Sequence, residues 1–386
     1  MNKAILLFAI FISTFGFSQN TSKDTITTNQ QQNAVNTILS SKNSKGITIG
    51  GYGQVDYNQP EGKNGKLDVH RFIIFLGYKF SDRVQFVTEI EFEHVKELFV
   101  EQAFLSYSVR NNFNIRGGLM LVPMGIVNEY HEPTTFNGVE RPNVDKSIVP
   151  STWSEIGIGV SGRFNEASLR YQAYIFNGFA SVNNGKVLGG LNGLRNGRQK
   201  GAESIINTPN FSAKIDYYGI SGLRLGLAGY FGRTQAEDDV QDIDGADVGI
   251  TMVGLDARYV HKRFSARGQF IQAILTDTEA YNILYETDLG SELKGWYAEA
   301  AYNLLPLSKE QKLDVFLRYE QYDTHAATQD ANIARNLAYN RNEWTLGLSY
   351  HVADGAVVKA DYQFFDNALE NNKTKGQLNL GFGVWF

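Results

Sequence analysis

Three glutamates, Glu89, Glu91 and Glu93, stand at alternate positions of the segment VQFVTEIEFEH. On an extended strand, positions i and i+2 share a face and lie roughly 7 Å apart. Like charges at that spacing repel unless cations answer them. The answer is either a set of arginines on neighbouring strands or an ion such as Ca²⁺, which takes several oxygen ligands. Arginines are the simpler partner, so no metal and no cofactor is assigned. A second group, Glu129, His131 and Glu132, sets an imidazole among carboxylates, the makings of a metal or acid–base cluster. The remaining histidines are scattered, and neither Gly-x-Ser-x-Gly nor His-Glu-x-x-His occurs. No catalytic residues are assigned, and the chain is not read as an enzyme.

The elements that must position these side chains are strands. Lys3 followed by the apolar run Ala4–Phe17 and Ser18 reads as a signal peptide over residues 1–18. The run is shorter than the about 20 apolar residues of a spanning helix. The chain has no cysteine, which excludes a lipid-anchored cysteine and a disulfide framework. With 25 Phe, 20 Tyr and 38 Gly against 7 Pro, the composition is that of a β-rich protein. A net charge of −5 offers nucleic acid no basic surface. Residues 19–46 are polar and free of aromatics, and read as a flexible or weakly helical tail in the periplasm, outside the barrel.

From Ile47 to Phe386 the texture changes to period-two alternation. Runs begin near Ile47, Leu67, Val84, Leu98, Asn114, Ile156, Ser168, Asn210, Leu223, Val248, Phe264, Leu293, Leu313, Glu343, Ala356 and Gln377. That makes sixteen, an even number as antiparallel closure requires. The connections alternate tight turns such as Asn111-Asn112 and Asp354-Gly355 with long segments such as 126–155 and 180–209; only Val95–Glu97 breaks the pattern. Short turns at one end and long loops at the other are the pattern of a transmembrane barrel. The expectation is an all-β fold, a 16-stranded antiparallel transmembrane barrel over residues 47–386.

A ring of that size is too wide for side chains to fill, so the polar face of each strand must point into water. Parity then places Arg71, Arg116, Arg163, Arg170, Arg224, Arg258, Arg267 and Arg318 on the inner wall with Glu89, Glu91 and Glu93. Lys214, Lys359, Asp216, Asp256, Glu299, Glu320 and Asp361 follow the same parity. Such a charge-lined channel sets solute preference, or its charges pair across the wall and only keep the lumen wet. The second and fourth runs, around Phe72–Phe75 and Leu98–Leu105, are apolar on both faces. An inserted loop packing on the inner wall there is the preferred explanation, and a register error the alternative.

The stretch MLVPMGIVNEYHEPTTFNGVERPNVDKSIVPSTWSEIGIGVSGRF, residues 120–164, resembles the phosphate-selective porin O/P family in its Bacteroidetes form, and the likeness continues through LRYQAYIFNGF. The terminal Phe386 looks like an outer-membrane assembly signal. The resemblance implies a Gram-negative outer-membrane porin, a homotrimer in lipid, giving passive diffusion to small polar solutes or inorganic ions, anions such as phosphate among them. It implies a third external loop folded into the lumen as a constriction, here residues 126–155 with Glu129, His131, Glu132, Glu140, Arg141, Asp145 and Lys146. Phosphate selectivity in that family rests on arginine and lysine clusters, whereas this loop, with Glu155, holds five acids against two bases. The alternative is a surface adhesin or binding barrel without an open pore.

Overall fold

Alternation of large apolar and polar residues forces each segment into an extended ribbon with one wet and one dry face, and the ribbons close on one another. The computed structural model describes residues 33–40, 45–330 and 332–386; the leader expected over residues 1–18 lies outside them. The described residues form sixteen barrel strands. They are β1 (Gly46–Pro60), β2 (Lys66–Lys79), β3 (Val84–Glu93), β4 (Glu97–Arg110), β5 (Phe113–Leu121), β6 (Ser154–Phe164), β7 (Leu169–Phe176) and β8 (Asn210–Ile220). There follow β9 (Leu223–Arg233), β10 (Gly249–His261), β11 (Phe264–Thr276), β12 (Glu292–Asn303), β13 (Lys312–Ala327), β14 (Asn340–Ala353), β15 (Ala356–Asn367) and β16 (Lys375–Trp385). Each starts within three residues of the expected position.

Neighbours in sequence are neighbours in space, all antiparallel, and β1 pairs with β16 from Tyr52↔Trp385 to Pro60↔Gln377. Closure leaves no strand edge to carry unpaired amides into hydrocarbon. The terminal residue completes the seam: Phe386 and Gly51 exchange both backbone hydrogen bonds at 2.9 Å. Outward faces carry Leu346, Leu348, Leu378, Leu380 and Phe382, all exposed, while Thr345, Ser349 and Asn379 on the opposite face are buried. Dry outside and polar inside is the polarity of a barrel in lipid. Exposed Tyr78, Phe80, Phe164, Tyr217, Phe264, Tyr302 and Tyr350 gather toward the short-turn end as an interfacial girdle. Trp385, by contrast, pairs in register with inward Tyr52 and packs on the core.

The polar segment 19–46 holds a short helix, α1 (Ala34–Ser40). Ala34, Val35 and Ile38 are buried against the inner wall with Tyr52, Ile73 and Phe75. This accounts for the apolar inner face of β2: an inserted segment covers it. Strand β4 has a different cause. Its register skips one residue, pairing Glu89 with Gln102 but Ile90 with Val100. The extra residue is Glu101, and the bulge swaps the parity of everything before it. Leu98 and Val100 therefore face outward, as do Leu105 and Tyr107 beyond the bulge. On β2 the cover comes from the N-terminal segment and not from the expected inserted loop, and on β4 the register shift is the cause.

Candidate functional site

The connection between β5 and β6, residues 122–153, folds into the barrel and is buried along most of its length. Its base is tied by one side chain. Asn128 Nδ2 donates to the carbonyls of Val122 (2.8 Å) and Trp153 (3.0 Å), and Asn128 Oδ1 accepts from Trp153 N at 2.7 Å. Trp153 stacks on Phe179 at 4.2 Å, which fixes the angle at which the loop leaves the wall. A small residue on the wall admits the loop: a Cβ on Gly383 would overlap Pro133. A four-residue helical turn, α2 (Val144–Ser147), lies within the loop.

The loop meets the wall through charge. Glu129 accepts from Arg170 at 3.0 Å and Gln172 at 2.7 Å, and lies 3.4 Å from Lys214 Nζ. The neighbouring Tyr130 hydroxyl accepts from Arg170 (2.8 Å) and Arg224 (3.0 Å), with Arg258 4.5 Å above the ring. Burial alone would push the Glu129 carboxyl up, yet Arg170 and Lys214 hold it down at about 2. Lys214 also pairs with Asp256 (3.2 Å), and Arg258 with Asp216 (3.6 Å). Farther round the wall, Arg318 pairs with Glu320 (3.2 Å) and Glu299 (3.4 Å), and Arg267 with Glu299 at 2.8 Å. Arg318 also donates to the carbonyl of Glu140 (3.2 Å), and Lys359 to that of Phe136 (2.8 Å). The backbone amide of Val139 donates to Asp361 at 2.6 Å.

The remaining positions divide by depth. Asp145 is buried and accepts from Gln269 at 2.9 Å, and burial pushes its carboxyl up to about 6. Glu132 is buried, accepts from the backbone amide of Ala34 at 2.7 Å, and is pushed by burial up to about 7. Glu140 accepts from Asn58 at 2.9 Å, Arg141 donates to the His131 carbonyl at 3.0 Å, and Lys146 is exposed. Arg71 is buried against Glu91 at 3.1 Å. Arg116, half-buried, donates to the Tyr174 hydroxyl at 3.3 Å; Glu93 is half-buried, and Arg163 is exposed at the foot of β6. Glu89 accepts from Gln102 at 2.7 Å. The stacked glutamates therefore have three different answers: an amide for Glu89, an arginine for Glu91 and partial exposure for Glu93.

One boundary shifts. Glu155, counted with the loop, lies on β6 and accepts from Trp153 Nε1 (2.9 Å) and Asn177 (2.8 Å). The loop proper thus holds Glu129, Glu132, Glu140 and Asp145 against Arg141 and Lys146, four acids and two bases. Parity missed Glu101, which the bulge turns inward beside Gln102; both are only 4% exposed. The signal for it was the adjacent polar pair Glu101-Gln102 in an otherwise alternating strand. Nothing in the sequence marked Asn128 as the tie at the base.

Comparison with known proteins agrees with this geometry. The family model described as phosphate-selective porin O and P matches residues 47–379. An uncharacterized protein of Aquifex aeolicus (strain VF5) is 34% identical over 342 residues, covering 82% of this chain and 75% of the relative. Among solved structures, the outer membrane channel DcaP of Acinetobacter baumannii superposes with a TM-score of 0.59 at 13% identity, covering 90% of this chain and 99% of that one. The anion-selective porin from Comamonas acidovorans superposes with a TM-score of 0.57 at 12% identity, covering 89% of this chain and 100% of that one. At such identities these structures share the fold.

Proposed function

The chain belongs to the phosphate-selective porin O and P family, outer-membrane pores for passive diffusion, and from that premise we propose that it passes small polar solutes and inorganic ions with little preference for anions. The observation that carries this reading is charge balance where the loop meets the wall. Arg170, Lys214 and Arg258 meet Glu129, Asp216 and Asp256, while Arg267 and Arg318 meet Glu299 and Glu320. Selecting phosphate needs bare guanidinium and ammonium groups to donate to its oxygens. Here most of those cations lie against carboxylates: Arg170, Lys214, Arg267 and Arg318 each stand within 3.4 Å of one and Arg258 3.6 Å from Asp216, while Arg116 and Arg224 donate to tyrosine hydroxyls. Beyond roughly 8–10 Å, salt screens the exposed charges of Arg163 and Lys146. In planar bilayers, the reversal potential across a tenfold KCl gradient is expected to lie near zero, and millimolar phosphate to leave the chloride current nearly unchanged. Strong anion selectivity with micromolar phosphate block would overturn the reading.

The same barrel is proposed to assemble as a trimer through its early strands. The turn between β3 and β4 is the short one at the long-loop end, and the wall beside it exposes Phe72, Phe92, Leu98, Val100 and Leu105. In a lipid barrel an exposed apolar wall is ordinary; the low rim is what would let neighbouring copies reach across. Crosslinking in mild detergent is expected to give three-subunit species, and a monomer across all detergents would count against assembly.

A further inference from the structure

Inside the barrel, between β3, β4 and the inserted loop, three ligand-type atoms converge, and among the described residues the one hydrogen-bond donor to any of them is the Tyr52 hydroxyl, 3.4 Å from Glu89 Oε1. Glu89 sits on β3, Glu101 at the bulge of β4, and His131 on the loop; all three are buried. Their ligand atoms lie within 4.8 Å of one another. His131 Nε2 is 3.4 Å from Glu101 Oε1 and 3.7 Å from Glu89 Oε1. We propose that this triad binds a divalent transition-metal ion of the Zn²⁺ class, tying the constriction loop to the wall.

The bulge is the first argument. Strict alternation would turn either Glu101 or Gln102 into lipid, and the extra residue turns both inward, a common device for re-aiming a side chain at a site. Partnering is the second. Neither oxygen of Glu101, nor Nε2 of His131, has a hydrogen-bond partner among the described residues. A buried carboxylate without a donor is costly, and no arginine or lysine among the described residues lies within ion-pair distance of Glu89 or Glu101. The nearby Arg71 is spent on Glu91. With the imidazole in its neutral form, the two carboxylates leave a charge of −2, which a divalent ion cancels.

The spacing of the ligand atoms and the hydrogen bonds that orient them agree with that assignment. Ligand–metal distances of about 2.0–2.2 Å in a tetrahedral site place ligand atoms about 3.4 Å apart, close to the spacings from Nε2. The Asn128 carbonyl, 3.1 Å from His131 Nδ1, can only accept, so Nδ1 carries a hydrogen and Nε2 is the nitrogen that faces the two carboxylates, free to bind an ion when it is unprotonated. Gln102 Nε2 holds the second oxygen of Glu89 at 2.7 Å, orienting that carboxylate. A cavity of about 30 Å³ adjoins Glu89 and His131, space for a water as a further ligand. One imidazole with two carboxylates suits Zn²⁺, Co²⁺ or Mn²⁺, whereas Ca²⁺ and Mg²⁺ call for a larger all-oxygen shell.

The refolded barrel, stripped with EDTA in detergent, can be titrated with ZnCl₂ by calorimetry and with CoCl₂ by absorption. One ion per chain is expected. Glu101→Gln and His131→Gln are expected to weaken binding at least tenfold while keeping a heat-modifiable barrel, and His351→Gln to change nothing. Should either variant fail to fold, X-ray absorption of the zinc-loaded wild type decides, because the groups bound to zinc should include a single imidazole. No uptake of Zn²⁺, Co²⁺ or Mn²⁺, uptake unchanged in both variants, or a shell without imidazole would overturn the proposal. The triad would then be a protonated histidine paired with two carboxylates.

Discussion

Replacing Glu129 by alanine is expected to raise single-channel conductance and shift the reversal potential toward anions in the same recording. Glu129 is the carboxylate that Arg170, Lys214 and Gln172 share, and it lies in the loop, not in a barrel strand. Removing one partner of a buried charge pair costs about 3–5 kcal/mol because the other charge is left uncompensated. Barrel closure does not depend on it, since β1–β16 hydrogen bonding continues around the whole ring. The cost therefore falls on the docked loop. Tyr130 still accepts from Arg170 and Arg224, so the loop tip loosens on one side and does not leave the wall. Around Arg170, Lys214, Arg224 and Arg258 the acids fall from three, Glu129, Asp216 and Asp256, to two, which favours anions where the loop meets the wall. Glu129→Gln separates the two effects, because it keeps a carbonyl for Arg170 while removing the charge. The expected result for it is the same selectivity shift with a smaller change in conductance. Wild-type conductance and reversal potential in the alanine variant would show that the loop is not the restriction.

The barrel was legible in sequence for a physical reason. Lipid outside and water inside impose one rule on every strand, so sixteen alternating runs repeat the same signal. The failures lie where that rule is locally suspended. At β4 the extra residue Glu101 inverts the parity, and only the adjacent pair Glu101-Gln102 hints at it. The loop was found by order and length, but its docking was not, because Asn128, Tyr130 and Gln172 act through distances that sequence separation hides. Wall arginines could be placed on a face, yet parity could not tell Arg318, locked between Glu299 and Glu320, from exposed Arg163. Charge lists alone therefore overstate the field in the pore. What decides the field is which charges are already answered.

The helix α1 was the least legible element, since seven residues reading AVNTILS carry little helical signal and no charged end. A helix so short has no stability of its own in water, so its form depends on where it docks. Asn33 Nδ2 donates to the Glu129 carbonyl at 2.8 Å, and Ala34 N to Glu132 at 2.7 Å. Toward the end of the barrel that holds the short turns, Ile38 seats beside Thr48, Phe75 and Trp385. The wall is cut to receive it: Gly77 faces inward, and a Cβ there would overlap Ile38 Cγ2. Burying a side chain of this size contributes about 1.5–3 kcal/mol, comparable to the whole margin by which so short a segment can be held. Ile38→Asp, which removes that contact and adds a desolvation penalty, is expected to release the segment from a barrel that still folds. Gly77→Leu should do the same from the opposite side of the contact, without altering the segment at all. In both variants, limited proteolysis with mass mapping should cut within residues 33–40, where the wild type is expected to resist, and the conductance should rise. Ile49→Val, on the outer face of β1, should leave both readouts unchanged. Resistance to protease retained in both lumen variants would mean that the polar contacts of Asn33 and Ala34 with the loop, and not the Ile38 seat, hold α1 in the lumen.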